Sequence, residues 1–231
     1  MDMDMQGQAL PGWVDPVARV FVVLAVLTAL VVAYDVYARG YRQPVRSMEG
    51  VWALSALWLG PFALPLYARA GRPRTPKWQS EHGGATSLGL GAAAASGGLP
   101  GGAASLLGHV VAVPAVLAAG WTLFGVDMFA MIAVIAVLAV AMLFAFEFST
   151  AARRDVGGTT VGAALLVAGV TVFAFDLGMG GWMLLLHYND LMPPLGSVDF
   201  LFLMQVGIVL GFLTGYPAVA LLLKRGTKVA V

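Results

Sequence analysis

Between residues 17 and 38 the chain runs for twenty-two residues with only Arg19 and Asp35 charged. Coiled as an α-helix, such a run is about 33 Å long, enough to cross a hydrocarbon layer of roughly 30 Å. Five more segments qualify or come close: 50–67, 103–125, 128–148, 159–188 and 200–223. A lipid-embedded backbone has no water to bond, so each span must satisfy its own amides, and repeated spans force helices. Composition agrees, with 60% hydrophobic and 11% charged residues against about a quarter charged in soluble domains. The expected fold class is an all-α, polytopic transmembrane helix bundle of about six spans, one membrane domain over residues 1–231. Its expected irregular parts are a flexible N-terminal tail (1–16), a Gly/Ala-rich loop (69–102) and a basic tail (224–231). The loop expectation rests on "GGATSLGLGAAAASGGLPGG", whose glycines and Pro100 break helices and whose side chains lack bulk.

With a net charge of +1, nucleic acid is not an expected partner; the lipid bilayer is. The absence of cysteine removes disulfides, thiolate catalysis and iron–sulfur ligation. No Lys or Arg precedes Arg19, so the first helix reads as retained rather than as a cleaved signal. Lys and Arg also set orientation. Six crossings put Arg69, Arg72, Arg74, Lys77, Arg153, Arg154, Lys224, Arg225 and Lys228 inside, with both termini cytoplasmic in a prokaryotic cell membrane, but leave Arg39, Arg42 and Arg46 outside. If the second segment, broken by Pro61 and Pro65, only dips into the membrane, those three come inside and the N-terminus moves out. Trp52 and Tyr67, near its ends, resemble interfacial anchors and favour a full span.

A charged side chain at mid-bilayer costs about 2.5–3.5 kcal/mol on insertion scales and therefore marks a partner or a purpose. The candidates are His109, Glu147, Asp176, His187 and Gln205. Depth along the expected helices groups His109 with Glu147 near the cytoplasm, and Asp176 with His187 and Gln205 near the outer face. On one helix Asp176, Met179, Met183 and His187 fall within an arc of about 80°. Met183 and His187, four residues apart, could grip one ion, and thioether with imidazole suits Cu(I). Packing methionines, an interfacial histidine and hydrogen-bonded polar pairs are the structural alternative for the same residues. Gly207, Gly211 and Gly215 make a small-xxx-small stripe, for packing within the chain or for a homo-oligomer seam. Ser105 and Ser149 lack a matching base, and no signature of an enzyme is present.

The stretch "FDLGMGGWMLLLH" (175–187), "MQVGIVLGFLTGYP" (204–217) and the ending "LLLKRGTKVAV" resemble the bacterial membrane proteins of domain of unknown function 4396. "RGYRQPVRSMEGVWALSALWLGPFAL" (39–64) resembles the same family's second helix. Asp176, Gly178, Met179, Gly181, Trp182, Met183, His187, Gln205 and Pro217 match its pattern. The third helix departs: the family's His-Cys…Gly-Cys…Leu-Gly-Asp run, which looks like a metal or redox site, becomes Pro100, Gly101, Ser105, Leu107, Gly108 and His109. Thiol chemistry of that run cannot occur here. The expected function is a small transporter or permease for a metal ion, copper first, or a proton-coupled solute, with no resident cofactor required. The alternative is a non-catalytic accessory or assembly subunit that docks a membrane partner.

Overall fold

In the computed structural model, residues 10–84, 87–153 and 161–228 are described. Residues 1–9 of the expected N-terminal tail, Arg154 and residues 229–231 lie outside them. The described chain is helical: α1 (Val14–Tyr37), α2 (Arg46–Leu59), α3 (Ala63–Leu66), α4 (Pro76–Glu81), α5 (Leu90–Ala119), α6 (Asp127–Arg153), α7 (Val161–Tyr188) and α8 (Val198–Lys224). Six stretches are long and apolar enough to cross a membrane, the second being Arg46–Arg74. The all-α polytopic bundle expected from the sequence is what the chain forms.

The second stretch is not straight. At Gly60 the backbone takes φ 56° and ψ −140°, a conformation open mainly to glycine. A Cβ there would also meet the Phe21 ring at 2.7 Å. Pro61 follows, and the chain continues as a 3₁₀ turn (Gly60–Phe62), α3, a π turn (Tyr67–Gly71) and a second 3₁₀ turn (Arg72–Arg74). It returns along α2. Trp52 and Tyr67 pack edge to face at 5.3 Å, where a straight helix would separate them by about 22 Å. Gly71 fits against the Trp52 ring, 2.7 Å from an added Cβ, and the Gln43 side-chain amide donates to the Gly71 carbonyl at 3.3 Å. The segment is a folded-back helical pair, the dipping arrangement that the expected orientation left open.

The ends of the bundle follow from this. Phe21 near the start of α1 touches Phe202 near the start of α8, at 5.6 Å between rings. The starts of α1 and α8 therefore share one end, and the two helices run the same way. The end of α1, both roots of the folded-back pair, α4, the start of α5 and the end of α8 lie at the other. Of the twelve Lys and Arg among the described residues, eleven belong to this second end and Arg19 alone to the first.

The loop expected over 69–102 is corrected for its second half, because α5 begins at Leu90 rather than near residue 103. Glycine weakens helices in water. Among packed helices in lipid, small residues instead let neighbours approach and the backbone has no better partner than itself. Gly97 lies against Val219 and Lys228, Gly98 against Phe212, Gly101 against Thr171 and Gly102 against Trp58. Pro100 and Pro114 are carried inside the helix.

Candidate functional site

The tip of the folded-back pair reaches the interior of the bundle. Trp58 is fully buried and its indole lies over Gly102 of α5, 2.5 Å from an added Cβ. Next to it the Leu57 carbonyl, near the C-terminal end of α2, accepts from the Gln205 side-chain amide of α8 at 2.7 Å. That bond satisfies one of the carbonyls that a helix end leaves without a partner. On the helices that meet here, several buried polar atoms have no hydrogen-bond partner among the described residues: Ser55 Oγ and Trp58 Nε1 on α2, Ser105 Oγ and His109 Nε2 on α5, Thr171 Oγ1 on α7 and Gln205 Oε1 on α8. Ser55 is one turn before Trp58, and Thr171 opposes Gly101. Ser105 and His109 continue the Gly101 stripe at intervals of four residues, within an arc of about 80°. His109 uses its other nitrogen, Nδ1, on the Ser105 carbonyl at 2.8 Å. Buried polar groups are nearly always paired, and unpaired ones at membrane depth are costly.

Where the expected residues fall is mixed. His109 is the twentieth residue of α5, about 29 Å along it, and so not near the start of that helix, where the expectation put it. Gly108 packs on Ile135 of α6. Glu147 instead pairs with Lys228 of the C-terminal tail, whose side chain is fully buried and borders Gly97. The two expected partners therefore differ in depth by about 16–18 Å, and the His109–Glu147 cluster is not formed. The error came from starting the third helix thirteen residues late.

The outer cluster is also divided. Phe175 packs on Gly211 and Gly215, and Met179 on Gly207; Asp176 is turned about 100° from Phe175. It is half-buried, without a hydrogen bond or ion pair among the described residues. Gln205 is turned away from α7 towards α2. His187 is half-buried at the end of α7, edge-on to Tyr188 at 5.3 Å. Met179 and Met183 are buried in the main core, with the Met179 sulfur 2.5 Å from where a Gly207 Cβ would stand. These methionines pack helices. Among the described residues no group of three His, Asp or Glu is placed to hold a metal ion.

The glycine stripe faces inwards. A Cβ on Gly207 would strike Met179 and Trp182, and one on Gly211 would come within 2.5 Å of the Phe175 ring. Its partner is α7 of the same chain. The sequence reading also passed over Ser55, Trp58 and Thr171, since hydroxyls and indoles in apolar runs carry no charge signal; Asp35 was set aside because it lies near the end of its segment.

A folded-back pair sunk among five long apolar helices defines a multi-pass membrane protein. Residues 92–228 match the family model for domain of unknown function (DUF4396). The chain belongs to that family. The match begins inside α5, so the likeness read over 39–64 lies outside it. No curated protein and no solved structure matches the chain.

Proposed function

We propose that this protein is a small permease whose path runs beside the tip of the folded-back pair, past Ser105, His109 and Gln205. The observation that carries this is the break in the backbone at Gly60, two residues after Trp58, whose indole nitrogen is one of several buried polar atoms without partners among the described residues. Irregular backbone at membrane depth is tolerated where protein covers it or where it lines a hydrated cavity, and transporters use broken helices at their sites. The groups on offer are hydroxyls, an imidazole, an indole N–H and an amide. They suit a proton or a small polar solute better than a soft metal, because the methionines expected to bind copper are taken up in packing. Asp176, half-buried on α7, supplies a further ionisable group. The excess of Lys and Arg at one end makes that end cytoplasmic, with the C-terminus inside and the start of α1 outside, in a cell membrane. The accessory-subunit reading drew on the glycine stripe, which α7 of the same chain occupies.

Proteoliposomes test the reading. Vesicles holding a pH dye under an inside-negative potential should acidify faster with the protein than without it, and His109→Ala should lower that rate about ten-fold while inserting and melting normally. A parallel set with a Cu(I) indicator tests the copper branch, on which His187→Ala and Met183→Leu would act. Wild-type vesicles no leakier than protein-free ones to either probe would overturn the permease.

A further inference from the structure

Where the folded-back pair meets the end of α1, the charges are arranged around one carboxylate and one ring. Asp35 accepts from Arg39 at 3.0 Å and from the Tyr67 hydroxyl at 3.0 Å, and Arg72 Nε stands 3.4 Å from its second oxygen. The Tyr41 ring, itself buried, has the Arg72 guanidinium at 4.0 Å, the Lys77 ammonium at 4.8 Å and Arg39 at 5.4 Å. Tyr41 donates its hydroxyl to Glu81 at 2.9 Å, and Lys77 donates to the Arg39 carbonyl at 2.6 Å. The cations are thus held in fixed places. They are not used up. Each guanidinium has five N–H donors, Arg39 is half-exposed, and the buried Arg72 Nε has no hydrogen bond. Over residues 35–81 there are seven Lys and Arg against three Asp and Glu.

Beside this cluster a cavity of about 270 Å³ opens between α1 and the returning arm. Its polar end is Asp35, Arg39, Tyr67 and Arg72, and the other end is apolar, with Val31 and Leu64 in its wall. Val31, Tyr34 and Leu64 are exposed at 53%, 63% and 38%, so the opening faces sideways into lipid. A positive rim continuous with an apolar trough fits one kind of molecule, a chain with an anionic head.

We propose that this groove binds an anionic phospholipid of the surrounding leaflet, its phosphate between Arg39 and Arg72 and an acyl chain along Val31 and Leu64. The bound lipid would pin the root of the folded-back pair to α1. Full-length protein is exposed to mixed micelles of phosphatidylglycerol and phosphatidylcholine with equal chains, and retained lipid is counted by native mass spectrometry. One phosphatidylglycerol should be kept with a preference of about twenty-five-fold, since each of the two basic residues contributes about a factor of five near a membrane surface. Arg39→Gln with Arg72→Gln should abolish the preference. Ala68→Phe, which fills the trough without touching charge, should abolish it too, and Lys224→Gln should leave it intact. Equal loss in Lys224→Gln, no preference in the wild type, or displacement of the lipid by millimolar inorganic phosphate would overturn the assignment.

Discussion

Three glycines within four residues of α7 give a sharp test of how the helices are seated. A Cβ added at Gly178 would lie 2.5 Å from the Leu210 carbonyl oxygen and 2.6 Å from its carbon. Those are backbone atoms and cannot rotate aside. Ordinary contact needs close to 3.4 Å, so α7 and α8 would have to part by nearly 1 Å along their largest interface. Overpacking of that kind costs about 1–3 kcal/mol. At Gly181 the added Cβ would meet nothing within 4 Å, and exchanging glycine for alanine in a helix gains up to about 1 kcal/mol. That gain is common to both positions, so the structure predicts that Gly178→Ala is less stable than Gly181→Ala by the overpacking cost, about 1–3 kcal/mol. Gly180→Ala, 3.9 Å from Ile132, should behave like Gly181→Ala. Unfolding in mixed micelles of rising SDS, followed by tryptophan fluorescence, gives the three free energies side by side. If Gly178→Ala unfolds at the same SDS fraction as Gly181→Ala, the seating of α7 on α8 is wrong, and the inward placement of the glycine stripe falls with it.

Because the chain has no cysteine, single cysteines report sidedness without background. Ser47→Cys and Ser80→Cys, exposed at the two roots of the folded-back pair, should react with an impermeant maleimide from the same side, and Thr122→Cys only from the other; labelling of Ser47 and Ser80 from opposite sides would mean that the segment crosses. For the buried Lys228–Glu147 pair, removing one charge by Glu147→Gln or Lys228→Met should cost about 3–5 kcal/mol, and the double variant much less than the two losses added. Additive losses in the same SDS titration would show that the two side chains do not meet.

The sequence made the class of fold plain, because twenty apolar residues in a row have one economical solution in lipid. What it hid was tied to small residues. In 90–102 glycine and alanine read as breakers by their behaviour in water, yet here they are the slots for Trp58, Phe212, Thr171 and Lys228. That one misplacement moved the start of α5, put His109 at the wrong depth and invented its pairing with Glu147. The turn at Gly60 was signalled by Pro61 and Pro65, but two aromatic anchors argued against it. Trp52 and Tyr67 turned out to pack on each other, a contact that sequence position alone cannot separate from two interfacial rings. The candidate site was legible in single residues, among them His109, Gln205 and Asp176. Their grouping was not, because it depends on which faces α5, α7 and α8 turn to one another.

The seat for the Trp58 indole is provided by Gly102, forty-four positions later in the chain. During synthesis the folded-back pair therefore leaves the ribosome before the surface that receives it exists. Until α5 enters the bilayer, the bend at Gly60 has only α1 for company and its indole N–H has lipid around it. A chain interrupted before residue 102 would be left in that condition, an unfinished intermediate for quality-control proteases to recognise.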